Sequence, residues 1–206
     1  MGQIIIDKDI LIGLMASSGQ AMAYEIGQGD PGLRDRIESV QNGILHAFDY
    51  LTDKEGIRER ELFGAASYIL DSTITSYRDV RPKVSGREFS VPNFEELSTF
   101  MSSLIFTIEN SNISNDKKLE AILGGIPFAQ PMYDGNKRLS RVVEGAFCLK
   151  YGLKPVIFNS RDEYVDLLFD YGEKQDSLAK QNSGEYFIDR NSESDLLTYI
   201  RKAHSH

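Results

Sequence analysis

The apolar residues of this chain recur at helical spacing along most of its length. The clearest stretch opens with Asn93-x-x-Glu96 and carries Leu97, Phe100, Met101, Leu104, Ile105 and Ile108 in a three-four alternation, which predicts a capped helix with one buried face. Upstream, Asp30-Pro31 reads as an N-cap followed by a first helical position, and a helix is expected to run to about Leu51 with Ile37, Val40, Ile44 and Phe48 on its inner side. Thr52-x-x-Glu55 has the form of a capping box for a second helix reaching about Thr75. Pro82, Gly86 and Pro92 then interrupt any helix, and Lys83-Val84 and Glu88-Phe89 flank Ser85-Gly86-Arg87 in the pattern of a short β-hairpin.

Ser114 is expected to cap a helix from Asn115 to about Ala129, weakened in its second half by Gly124-Gly125 and Pro127. A further helix from Lys137 to about Tyr151 would bury Leu139, Val142, Val143, Ala146 and Phe147, with Gly152 as its stop. Ser160-x-x-Glu163 starts another, to about Tyr171, and the polar passage 172–184 reads as a loop. Ser192-x-x-Asp195 opens a last helix containing Leu196, Leu197 and Ile200. The expected architecture is mainly α, with one small hairpin, in a single domain over 31–206 that follows an N-terminal extension over 1–30.

Composition narrows the function more than the fold. At 206 residues with 41% hydrophobic and 26% charged side chains, the chain is ordinary for a globular protein with one sizeable core. A formal charge of −8 argues against nucleic acid or an anionic membrane surface as the partner. Cys148 is the lone cysteine, so no internal disulfide forms, and the expected compartment is a reducing cytoplasm, either the protein's own or that of a host cell into which it is delivered. Cys148 falls in an apolar helix and reads as a buried structural thiol. The three histidines, His46, His204 and His206, are too scattered for a histidine metal site or a catalytic triad, and His46 reads as structural or surface.

Against that acidic background the stretch Gln130 to Arg141 concentrates cations. Lys137, Arg138 and Arg141 open a helix, Arg138 and Arg141 share one of its faces, and the positive end of the helix dipole points the same way. Asp134 is the one carboxylate of the preceding loop, and it could hold a divalent cation against a bound phosphate. Taken alone, Asp134-Gly135-Asn136 is an ordinary turn; the whole stretch describes a site for a metal-bound polyphosphate.

The stretch resembles the motif of the Fic family, His-Pro-Phe-x-Asp/Glu-Gly-Asn-Gly/Lys-Arg-x-x-Arg. Pro131, Asp134, Gly135, Asn136, Lys137, Arg138 and Arg141 match it, and Lys137 follows the Asn-Lys-Arg variant of the Doc-like branch. Ser76-Tyr77-Arg78-Asp79-Val80, the hairpin, Pro92, Gly152-Leu153-x-Pro155 and Arg161-x-x-Tyr164 look family-like as well, so the likeness spans about 51–171. The resemblance implies a Fic fold, a helical bundle with a β-hairpin flap. It also implies a protein adenylyltransferase that moves AMP from Mg-ATP to a hydroxyl side chain of a target protein. Asp134 would hold Mg²⁺, Asn136 would contact the α-phosphate, and Arg138 and Arg141 would clamp the outer phosphates with Lys137 beside them. Gly135 would let backbone amides approach closely. The flap, Val84, Ser85, Gly86, Arg87, Glu88 and Phe89, would dock the target as an added strand.

Two departures shape the expectation. Gln130 stands where the family has its catalytic histidine, and an amide cannot take the proton of the target hydroxyl. Met132 replaces the motif phenylalanine, a swap a buried anchor tolerates. The family's inhibitory Ser/Thr-x-x-x-Glu-Gly/Asn segment matches only at Ser140 to Gly145, inside the motif helix itself, so any brake is expected from a separate inhibitory protein. The sequence leaves open an impaired AMP-transferase and a catalytically silent pseudoenzyme that binds nucleotide or protein.

Overall fold

A computed structural model describes residues 33–80, 91–189 and 192–205, with side chains from residue 38 onward. Within these residues the chain is all helix and loop: α1 (Leu33–Thr52), α2 (Glu59–Leu70), α3 (Phe94–Glu109), α4 (Asn115–Glu120), a π turn (Ala121–Gly125), α5 (Ile126–Ala129), α6 (Asn136–Tyr151), α7 (Arg161–Gln181) and α8 (Asp195–His204). The expected hairpin, Val84 to Phe89, and the N-terminal extension lie outside the described residues.

The apolar stripes read from the sequence make one core. Ile44 and Phe48 of α1, Leu97, Phe100, Met101, Leu104 and Ile108 of α3, and Leu139, Val142, Val143 and Phe147 of α6 are all buried in it. Ile105, at the edge of its stripe, is only partly buried against that core. The α6 helix packs on α1, α2, the π turn and α5.

Five boundaries differ from expectation, the first four each for a local reason. Thr52 closes α1, its hydroxyl donating to the Asp49 carbonyl at 2.9 Å; α2 begins only at Glu59, after an extended Arg58. It ends at Leu70, where Asp71 turns left-handed (φ 47°) and its N–H returns to the Tyr68 carbonyl. Helix α7 continues ten residues past Tyr171 because its polar-looking second half still buries Gly172, Gln175, Asp176 and Ala179. Ser194, not Ser192, caps α8, accepting from the Leu197 N–H at 3.0 Å, while the Ser192 carbonyl accepts from the Lys117 ammonium at 2.5 Å. The α6 boundary lies one residue earlier than expected, at Asn136.

The segment before the motif loop is where helix propensity and packing conflict. Gly124 and Gly125 disfavour a helix, yet both sit in the core, and a Cβ on either would lie 2.9 Å from the Tyr171 ring or 2.6 Å from Leu104 Cδ1. Pro127 has no N–H to offer the Leu123 carbonyl four residues back. The chain resolves this with the π turn and two side chains from neighbouring helices. Ser140 donates its hydroxyl to the Ile122 carbonyl at 2.9 Å, and Tyr164 donates to the Leu123 carbonyl at 3.0 Å.

Candidate functional site

The loop between α5 and α6 is shaped by two left-handed residues. Gln130, the C-cap of α5, has φ 46° and turns the chain out of the helix. Gly135, the N-cap of α6, has φ 73°; a Cβ there would approach Leu70 Cδ2 to 3.0 Å and Ile69 Cγ2 to 3.2 Å. Glycine is therefore required twice at this position, by its backbone angle and by the α2 side chains pressed against it. Between the two turns, Met132 is buried and anchors the loop in the core, while Tyr133 and Asp134 face solvent.

Asn136 knits the loop shut. Its Oδ1 accepts from the Met132 N–H and its Nδ2 donates to the Met132 carbonyl, both at 2.9 Å. With both functional groups of its amide so engaged, Asn136 fixes the loop's shape in this conformation. Asp134 accepts from the Gly135 N–H through Oδ1 at 2.6 Å, and its Oδ2 lies 3.3 Å from an Arg138 nitrogen. The Asp134 side chain is 80% exposed, so its pair with Arg138 is a weak one that a ligand can displace.

Helix α6 starts without a side-chain cap. Helices α3, α4, α7 and α8 each close their first turn with Asn93, Ser114, Ser160 or Ser194. The 16-residue α6 instead leaves its first-turn amides to the loop side, at the positive end of its dipole. Arg138 stands beside these amides, and Lys137 follows the same turn. Withdrawal from solvent, then the charge of Arg161 at the start of α7, hold the Lys137 ammonium below the usual lysine range. The first turn of α6 thus gathers Lys137 and Arg138, with the charge of Arg161 felt nearby and one exposed carboxylate in front.

Arg141 is placed differently. It is 5% exposed, its guanidinium lies 2.6 Å from Glu144 Oε2, and it donates to the Val156 carbonyl at 2.9 Å. Glu144 is equally buried and accepts from the Val156 N–H at 2.7 Å. Burial pushes the Glu144 carboxyl above the ordinary range, opposed by Arg141 and by the Val156 N–H. The pair fastens α6 to the irregular passage around Val156, one helical turn behind the loop.

Gln130 and the loop backbone are held by a residue the sequence marked only as family-like. Arg78 is 1% exposed, and no acidic side chain pairs with it among the described residues. Its Nε donates to the Gln130 carbonyl at 2.7 Å, one terminal nitrogen to Val80 at 2.8 Å, and the other to Pro92 at 2.7 Å and Ala129 at 3.1 Å. Its own N–H donates to the Pro131 carbonyl at 2.9 Å. One guanidinium thus grips the motif loop and both ends of the 81–90 passage. Nearby, the exposed Tyr133 donates to Asp79 at 2.5 Å, a second tie between the loop and the residues before that passage.

As to the donors for a metal, no group of three or more His, Cys, Asp or Glu gathers among the described residues. Asp134, exposed and alone, suits a Mg²⁺ that keeps most of its waters and takes its remaining ligands from a substrate's phosphates. It does not suit an all-protein metal cage. No described helix is long and apolar enough to cross a membrane.

No protein-family model and no curated protein matches the chain. A crystal structure of a Fic family protein from Desulfovibrio desulfuricans G20 does match in three dimensions, with a TM-score of 0.55 over all of this chain and 75% of that one, at 16% sequence identity. The described helices of this chain therefore form a Fic-like fold.

Proposed function

We propose that the loop and first turn of α6 form a nucleotide-phosphate site, and that the chain is a protein adenylyltransferase of the Fic type, weakened by Gln130. The observation that carries this reading is the uncapped start of α6, with glycine forced at its N-cap, Arg138 beside it and Asp134 exposed in front. Phosphate oxygens would take the first-turn amides and the Arg138 fork. Asp134 would exchange its weak pair with Arg138 for Mg²⁺, which when bound neutralises charge on the polyphosphate and the leaving pyrophosphate.

In the reaction a hydroxyl oxygen of the target protein forms a bond to the α-phosphorus of ATP, and the bond to pyrophosphate breaks. The hydroxyl proton has to leave as the bond forms. Gln130 can orient the hydroxyl through its amide but cannot accept that proton, so this step is the one the chain performs poorly. Asn136 would release the Met132 carbonyl to meet the α-phosphate, and Arg141 would join the outer phosphates only on giving up Glu144 and Val156. A target strand would lie along residues 84–89, and a separate inhibitory protein would supply any brake.

Calorimetric titration of Mg-ATP tests the site: the unaltered chain binds, and Arg138→Glu does not. A flat titration for the unaltered chain removes the phosphate site. Incubation with ATP labelled at the α-phosphate then tests the chemistry. Gln130→His is expected to raise labelling of a target protein by about 10²- to 10⁴-fold, the usual contribution of a positioned base. The second reading, a pseudoenzyme that binds nucleotide or protein without transfer, rests on Gln130 alone. It gains if Mg-ATP binds and Gln130→His still labels nothing.

A further inference from the structure

His204, the last residue of α8, is held through both nitrogens of its ring. Its Nδ1 lies 2.8 Å from Asp116 Oδ1 on α4, and its Nε2 lies 3.1 Å from the Lys154 carbonyl in the passage after α6. A carbonyl oxygen can only accept a hydrogen bond, and so can an ionised carboxylate. The two contacts therefore coexist only when both nitrogens carry protons, which makes the ring an imidazolium. The place suits that charge, because the negative end of the α8 dipole falls there. A neutral ring has one N–H to give. Kept for the Asp116 carboxylate, it leaves a bare Nε2 lone pair facing the Lys154 carbonyl.

The charged groups around the ring come from four directions. On α4, Asp116 meets it, while Lys117 and Glu120 are engaged at the other end of α8 with Ser192 and Ser194. On α8 itself, Arg201 pairs with Glu193 at 2.5 Å and also feels the charge of Asp116. Glu163 of α7 accepts from Tyr199 and feels Lys202. From α6, Glu144 feels His204: burial pushes its carboxyl up, and Arg141, the Val156 N–H and the charge of His204 oppose that.

The passage that His204 grips is the one that secures Arg141. The Lys154 carbonyl also accepts from the Cys148 thiol at 3.6 Å. Two residues on, Val156 donates its N–H to Glu144 and accepts from Arg141. Residues 154–156 are thus held by α6 on one side and by His204 on the other.

We propose that His204 is a proton-operated latch on the 154–156 passage. Protonated, it joins α8 to α4 and to that passage, and its charge supports the buried Arg141–Glu144 pair. On losing its proton it releases the Lys154 carbonyl, and the passage is then held from the α6 side alone. The contribution is complete while the ring is protonated and is lost as pH rises through the range where histidine titrates, about pH 6.5. Arg141 is the residue whose release the phosphate reading calls for, and on that reading the latch sets how readily it comes free.

The full chain, isotopically labelled and without nucleotide, provides the test by NMR. At about pH 5.5 both ring N–H protons of His204 are expected as slowly exchanging signals, while the exposed His46 shows none. Protection of the Val156 amide from hydrogen exchange, corrected for intrinsic rates, is expected to fall about tenfold between about pH 5.5 and about pH 8, the loss of one charge-assisted contact. His204→Gln is expected to hold that protection at the high-pH level throughout. His46 and His206 remain in the variant, so their titration cancels from the comparison. Absence of the His204 ring signals in the unaltered chain would overturn the latch. So would Val156 protection that ignores pH there, or that falls equally in His204→Gln. No nucleotide enters these measurements, so their failure is separate from a failure of the phosphate site.

Discussion

Arg78 organises the candidate site more than any residue of the motif itself. Burying a guanidinium is costly, and here four backbone carbonyls that accept from it offset the cost. Arg78→Met is expected to lower the unfolding free energy by about 3 kcal/mol or more, since each carbonyl left without a donor costs roughly 1–3 kcal/mol. Urea denaturation measures it. Arg78→Lys should recover little, because an ammonium cannot spread its donors over carbonyls on three separate segments. Asp134, Gly135 and Arg138 stand out in the sequence only through the whole stretch from Gln130 to Arg141 and its resemblance to the motif, since Asp134-Gly135-Asn136 alone is an ordinary turn. Arg78 was not legible as a clamp, because its partners are backbone carbonyls up to 52 residues away and carry no side-chain signature. Arg141 shows the converse. Its spacing from Arg138 suggested a shared outward face, yet Glu144 and Val156 hold it inside.

Among the elements, those with strong periodicity formed as read, and those set by tertiary contacts did not. The stripe on α3 and its capping box are both present, with Asn93 and Glu96 exchanging their backbone bonds. The second capping box, at Thr52, failed because α1 still needed an end there and Thr52 serves it. The π turn was invisible to sequence rules, which saw only two glycines and a proline. Its cause lies in Tyr164, Ser140 and Tyr171, all distant in sequence. The pairing of Tyr164 with the Leu123 carbonyl yields a direct test. Tyr164→Phe should cost about 1–3 kcal/mol, because Pro127 cannot replace the lost donor. In a Pro127→Ala background, the restored amide can reach that carbonyl and the same substitution should cost less. A double-mutant cycle by chemical denaturation reads this coupling, and strictly additive losses would refute it.

On the scale of the whole molecule, the described helices share a core that closes over Cys148 completely. Burial, with Glu144 adding to it and Arg141 opposing, pushes the Cys148 thiol well above its ordinary range, so at neutral pH it is a protonated, inaccessible group. Native protein is expected to resist Ellman's reagent, with one thiol appearing only as denaturant unfolds the chain. Rapid labelling in native buffer would mean that the core around α6 opens locally. The Arg78 clamp has a consequence for how such a molecule can vary. Val80 and Pro92 are pinned by the same side chain, so the described segments on either side of residues 81–90 are held to one point. With the ends already held together, the closure entropy of whatever lies between grows only with the logarithm of its length. The interposed passage can therefore change sequence or lengthen by several residues without disturbing the loop behind it. A side chain that clamps two flanking segments to one loop thus lets the sequence between them drift while the clamp stays fixed.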